Sequence, residues 1–161
     1  MGRIKIDYGI DLGTTNSALS RMESGEVVTS DIDQSMIVPS CVYIDKRGRI
    51  RVGIQAFNKY PHFIEFKRNM GVNIDYDTLD GNKTNPEKLS AELLKKLASE
   101  ITDEVFKSVV ITVPAAFELP QVSATKRAAE LAGFEQVEIL QEPVAAAFNY
   151  GLKNKVKDGN I

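Results

Sequence analysis

One cysteine, one histidine and no tryptophan are present among the 161 residues, and each scarcity removes a class of chemistry. Cys41 has no partner for an internal disulfide, and its neighbours Val38, Val42 and Ile44 mark it as a buried thiol with no catalytic duty. His62, in Tyr60-Pro61-His62-Phe63, has no companion motif that would make it a metal ligand or half of a catalytic pair. A dominant sign of charge is missing too. With 20 basic against 22 acidic residues the net charge is -2, so no basic field argues for nucleic acid, and no nucleic-acid partner is expected. The N-terminus has no apolar run of signal-peptide length, and no stretch approaches the roughly twenty residues needed to cross a bilayer. Secretion and membrane insertion are not expected, and a reducing, cytoplasmic setting fits. Neither G-x-x-x-x-G-K-S/T nor G-x-G-x-x-G occurs, which disfavours the two folds that seat phosphate on a helix after a glycine-rich loop.

What is present is phosphate chemistry of another kind. In Tyr8-Gly9-Ile10-Asp11-Leu12-Gly13-Thr14-Thr15-Asn16-Ser17 an apolar strand runs into a carboxylate, a glycine and a row of hydroxyls, and Ala18 and Leu19 then resume apolar character. The segment predicts strand, tight turn, strand. Such a hairpin can cradle an anion: Gly13 lets the backbone come close, the amides of Gly13 to Asn16 can point at one phosphate, and Thr14 and Thr15 add hydroxyl donors. Asp11 can hold magnesium through water, because that ion takes few carboxylates directly. The plainer reading is an ordinary hairpin with a polar turn.

An apolar content of 43% and a charged content of 26% are ordinary for a globular protein, and the length suits one domain-sized unit. Residues 3 to 52 read as an antiparallel meander, with strands Ile4 to Ile10, Ser17 to Met22, Glu26 to Thr29 and Ser40 to Ile44. Thr84 or Asn85 is the expected cap of a helix that has Pro86 in its first turn and Leu89, Leu93, Leu97 and Ile101 on its apolar face. Ser108 to Val113 has the pattern of a strand buried on both faces. Pro120 to Ala132 predicts a helix closed by Gly133, Val137 to Leu140 a short strand, and Pro143 to Tyr150 a further helix ended by Gly151. A meander followed by alternating helices and strands implies right-handed parallel crossovers and hence a mixed sheet. The tail, Lys153 to Ile161, reads as a linker or a cut point.

A mixed sheet that begins with a D-L-G-T-T hairpin resembles the actin, hexokinase and heat-shock ATPase superfamily. Three further segments narrow the likeness. Phe66-Lys67-Arg68-Asn69-Met70-Gly71 resembles "FKR-hG", Val113-Pro114-Ala115-Ala116-Phe117 resembles "VPAYF", and Gln141-Glu142-Pro143-Val144-Ala145-Ala146-Ala147 resembles "NEPTAAA". Together they identify the chain as similar to the heat-shock protein 70 (DnaK-type) chaperones over nearly its whole length. The resemblance implies an α/β, ribonuclease-H-like (actin-like ATPase) fold, with a mixed five-stranded sheet, helices and a small inserted subdomain. Residues 1–161 would form lobe I of an ATPase domain, with a core subdomain at about 1–35 and 105–155 and an inserted one at about 36–104. The second phosphate loop, the adenosine pocket and the peptide-binding domain would lie beyond Ile161, leaving this chain alone inactive.

By the same resemblance ATP, magnesium and potassium are the cofactors, and ATP hydrolysis controls the grip on unfolded client polypeptides. Asp11 would order the magnesium waters, and Gly13, Thr14, Thr15 and Asn16 would cradle the β and γ phosphates. Lys67 matches the lysine that positions the attacking water. From the residues alone it would be a solvated surface lysine. Glu142 matches a carboxylate near the magnesium shell that senses the nucleotide; otherwise it is a helix N-terminal glutamate, favoured by under about 1 kcal/mol. Pro114 matches a proline that switches between nucleotide states, and otherwise simply ends a strand.

The departures bear on partners. Val122 replaces an arginine that relays the nucleotide state, and valine has neither its charge nor its bidentate bonding. Glu138 replaces an arginine that meets the J-domain cochaperone, which reverses a charge and puts that coupling in question. Ala116 stands for the tyrosine of "VPAYF", and the stretch Val72 to Lys83 is shorter than usual. A nucleotide exchange factor would act through the second lobe. A sugar kinase of the same superfamily would share the hairpin, but "EPVAAA" and "FKR" speak against it. A non-catalytic nucleotide-sensing or actin-like assembly module is the reading that the changes at 122 and 138 keep open.

Overall fold

The computed structural model describes residues 8–103, 105, 107–142 and 144. The first three strands, β1 (Tyr8–Leu12), β2 (Asn16–Glu23) and β3 (Glu26–Thr29), form the expected meander. Next come β4 (Val38–Pro39), β5 (Cys41–Ile44), β6 (Ile50–Val52), a one-turn helix α1 (Ile54–Phe57), β7 (Phe63–Ile64) and a 3-10 turn at Phe66–Asn69. The remainder is β8 (Tyr76–Asp77), β9 (Lys83–Thr84), α2 (Pro86–Ser99), β10 (Ser108–Val113), α3 (Leu119–Leu131) and β11 (Gln136–Gln141). The expected strand residues Ile4 and Ile6, the helix from Pro143 to Tyr150 and the polar tail lie outside the described residues.

The main sheet is mixed, in the order β11-β10-β1-β2-β3. β1, β10 and β11 run parallel, and β2 and β3 antiparallel. To these five strands the short β4 adds a sixth, paired with the start of β2 at Asn16↔Pro39 and Ser17↔Val38. Pro39 has no N–H to continue that ladder, and the chain leaves the sheet there. β5, expected to extend the meander, instead centres a separate three-stranded sheet, β6-β5-β7. β8 and β9 make a third, two-stranded ribbon.

Tyr8, Ile10 and Leu12 of β1, Leu19 of β2 and Val109, Ile111 and Val113 of β10 are buried. Register places Ile10 beside Leu19 and Ile111, so these residues share one face of the sheet. The opposite face carries Gly9, Asp11, Val110 and Thr112, none of them buried. β10 is thus buried on one face, not the two its composition suggested. Its Val and Ile content misled because the β-branched residues continue onto the partly exposed face.

Helix α2 belongs to the core through Leu89, Leu93, Leu94 and Leu97, each worth about 1.5–3 kcal/mol when fully buried. Asn85 is its cap, accepting from the Lys88 amide at 2.9 Å, with Pro86 in the first turn. Helix α3 begins with the Glu118 amide donating to Gln121 Oε1 at 3.0 Å, one half of a capping box. It ends on paired bonds from the Gly133 and Phe134 amides to the carbonyls of Glu130 and Ala129. Its small buried residues Ala124, Thr125, Ala128 and Ala129 let it lie close to α2. Arg127 on α3 bridges to Glu87 at the start of α2, at 2.6 and 3.1 Å. No helix among the described residues is long and apolar enough to cross a membrane.

Candidate functional site

Three parallel strands end on the same edge of the sheet. β1 runs into the Gly13 turn, β10 into Pro114 and β11 into Glu142. The carboxyl ends of parallel strands are where open α/β sheets present their ligand sites, because the turns there are free of sheet packing. Lys67 comes to this edge from elsewhere, on the 3-10 turn that leads out of the small sheet. The chain enters that turn through Glu65 at φ 54°, a left-handed conformation that a residue with a Cβ adopts at a cost.

Lys67 is not the solvated lysine its local sequence suggests, being only 3% exposed. Its ammonium donates to the Leu12 carbonyl, the last of β1. The same Nζ lies 3.7 Å from Glu142 Oε1 and 5.6 Å from the centre of the Phe117 ring. Burial pulls the Lys67 pKa below the ordinary lysine value, and Glu142 and then Asp11 act to raise it. Asp11, exposed on the partly open face of β1, accepts a bond from the Thr112 hydroxyl at 3.1 Å. The site therefore has one buried cation facing two carboxylates.

The Gly13 turn is compact. A Cβ at Gly13 would lie 1.9 Å from the Asn16 carbonyl oxygen, so only glycine permits this closure. Of the four amides expected to face an anion, that of Gly13 donates instead to Ser17 Oγ at 3.1 Å. Thr14 is half-buried, while Thr15 and Asn16 are exposed, Asn16 already being paired with Pro39. Ser40 Oγ donates to the Gly13 carbonyl at 2.8 Å, and the Ser40 amide to Thr15 O at 2.8 Å. Pro114 ends β10, and its carbonyl accepts the Phe117 amide at 3.0 Å in the turn that brings the Phe117 ring toward Lys67.

The structure thus gathers Asp11, Lys67 and Glu142, with Gly13 and Pro114 on the same edge. Val122 and Glu138 sit away from it, in the first turn of α3 and mid-strand in β11 beside Val110. Three participants were not marked by the residues alone: the Leu12 carbonyl, Thr112 and Ser40. The first is backbone, and the hydroxyls of Thr112 and Ser40 act through contacts 101 and 27 residues away in sequence. Among the described residues no three His, Cys, Asp or Glu side chains gather as a metal cage. A buried cation, two nearby carboxylates and a tight turn with Thr14 and Thr15 at least partly exposed suit a phosphoryl group and a water-bound divalent ion better than a caged metal.

The sequence model of one family, described as Hsp70 protein, matches residues 54–161. The span contains Lys67, Pro114 and Glu142, whereas the Gly13 hairpin precedes it. Well over half of the chain is covered, and the chain belongs to the Hsp70 family of chaperone ATPases.

Proposed function

We propose that this chain is lobe I of an actin-like, ribonuclease-H-like ATPase domain, in which ATP hydrolysis controls the binding and release of unfolded polypeptides. The core subdomain comprises about 1–35 and 105–155, and the inserted one about 36–104. The observation that carries this reading is Lys67. Taking an ammonium out of water costs several kcal/mol, and a hydrogen bond to a charged group returns only about 1.5–3. A cation kept at such a cost on the ligand edge of a sheet is better explained by chemistry than by stability.

Gly13, Thr14, Thr15 and Asn16 would bind the β and γ phosphates, and Asp11 and Glu142 would hold a hydrated magnesium ion through its waters. When bound, magnesium neutralises charge on the phosphates. The reaction is phosphoryl transfer to water: a water oxygen bonds to the γ phosphorus as the bond to the bridging oxygen breaks. Lys67 places a fixed positive charge where negative charge spreads in the transition state, with Leu12 O and Glu142 holding its orientation. Pro114 closes the strand next to this centre and is the proposed switch between nucleotide states. Glu138 and Val122 replace two arginines of the family pattern, so a J-domain cochaperone stimulates this ATPase weakly. A nucleotide exchange factor acts through the second lobe, and the setting is cytoplasmic.

The test is single-turnover hydrolysis by the full-length protein. Lys67→Ala should slow the chemical step by about 100-fold or more with ATP affinity nearly unchanged, since the charge is needed mainly in the transition state. Equal losses in rate and affinity would refute the assignment.

A further inference from the structure

The near-zero net charge of the chain conceals a local excess of cations on the small sheet. In the β5–β6 hairpin Tyr43 pairs with Arg51, and the Asp45 amide bonds to the Arg49 carbonyl. Side chains two apart along a strand share a face, so Tyr43, Asp45, Arg49 and Arg51 point the same way. The intervening turn adds Lys46 and Arg47. After α1 the chain returns with Lys59 and Tyr60, and Lys59 Nζ stands 5.9 Å from the centre of the Tyr43 ring. These residues line an open cleft of about 610 Å³.

Asp45 leaves the cleft basic. Its carboxylate accepts Arg49 Nε at 2.6 Å and the amides of Arg47 and Arg49 at 2.8 and 3.0 Å. Those bonds, that of the Arg49 amide first, hold its pKa down to about 2. Among the described residues Lys46, Arg47, Arg51 and Lys59 form no ion pair. Tyr60 is 88% exposed, an aromatic ring on the rim of a cationic cleft with little packing duty. Cations without ion pairs, beside an exposed ring that meets His62 only edge-on at 6.4 Å, match a ligand that carries both repeated anions and flat faces. An acidic peptide would satisfy the cations and leave Tyr60 unused.

We propose that this cleft binds single-stranded nucleic acid, with phosphates on Lys46, Arg47, Arg51 and Lys59 and a base stacked on Tyr60. The site lies on a different sheet from the Gly13 hairpin and does not depend on the ATPase reading.

Fluorescence anisotropy of the intact protein with a labelled oligouridylate RNA, across a salt series, tests it. Neutralising four phosphates should give a slope of log affinity against log salt of about -3, at about -0.7 per phosphate. Arg51→Ala should reduce that slope by about 0.7. Tyr60→Ala should weaken binding about five-fold or more at unchanged slope. Both residues are exposed, so thermal melting and ATP hydrolysis should stay as in the wild type. Absence of binding, indifference to Tyr60→Ala, displacement by a polyglutamate peptide as effective as by unlabelled RNA, or displacement by ATP would each overturn the proposal.

Discussion

Ser17 and Ser40, 23 residues apart in sequence, meet hydroxyl to hydroxyl at 2.9 Å beside the Gly13 turn. Each hydroxyl has one hydrogen to give. Ser40 donates its own to the Gly13 carbonyl, so Ser17 donates to Ser40 while accepting from the Gly13 amide. The ring so closed ties the turn to the segment that carries the chain out of the main sheet.

Ser40→Ala breaks this ring and leaves buried polar groups unpaired, at a cost of about 1–3 kcal/mol. Urea unfolding should show that loss, and ATP affinity of the full-length protein should fall with it, because Thr14 and Thr15 lose their frame. Unchanged affinity at reduced stability would separate the ring from ligand binding.

Gly71→Ala should destabilise through two causes at once. Gly71 has φ +77°, and a Cβ there would lie 2.9 Å from the backbone of Pro120 and Gln121 at the start of α3. Neither side can give way as a flexible side chain would, so we expect a loss of more than about 2 kcal/mol. Thermal melting followed by circular dichroism measures it, and a melting temperature equal to that of the wild type would refute the close packing.

The rate of hydrolysis should fall at alkaline pH, and earlier than a free lysine would dictate. Lys67 acts while protonated, and burial has moved its folded pKa below 10.5. Because Glu142 is the foremost influence raising that pKa, Glu142→Gln should move the falling limb of the pH–rate profile to lower pH. Stability has the opposite slope: the folded state disfavours the charged lysine, so its cost is full below the folded pKa and is relieved as pH rises toward 10.5. A limb unmoved by Glu142→Gln would uncouple the two residues.

Cys41 should resist thiol reagents in the native protein. Its side chain is fully buried, and desolvation pushes its pKa up to about 11. Reaction with a disulfide reagent near neutral pH should therefore follow global unfolding. Labelling much faster than unfolding would show a local opening at β5.

Local signals carried the larger elements. Asn85, Pro86 and the leucines at four-residue spacing locate α2, and the apolar patterns of Glu26–Thr29 and Ser108–Val113 mark strands with the bounds the fold gives them. The pieces β4, β7, β8 and β9, two residues each, were invisible because nothing in two residues sets a period; long-range pairing creates them. The site divided the same way. Asp11 and Gly13 declare themselves in a short motif, whereas the mixed neighbours of Lys67, Phe66 before it and Arg68 after it, set no pattern, and only the resemblance to other chains marks it. Its burial depends on Leu12 and Phe117, which no local pattern connects to it.

The bond from Lys67 to Leu12 spans 55 residues of intervening chain. Closing so long a loop has an entropic cost that grows slowly with length but falls due before the contact rewards it. The hairpin can form early from adjacent residues. The ammonium arrives only after the inserted segment has found its place against the strand, so the centre matures late in folding, and the emerging first fifty residues hold no competent half of it.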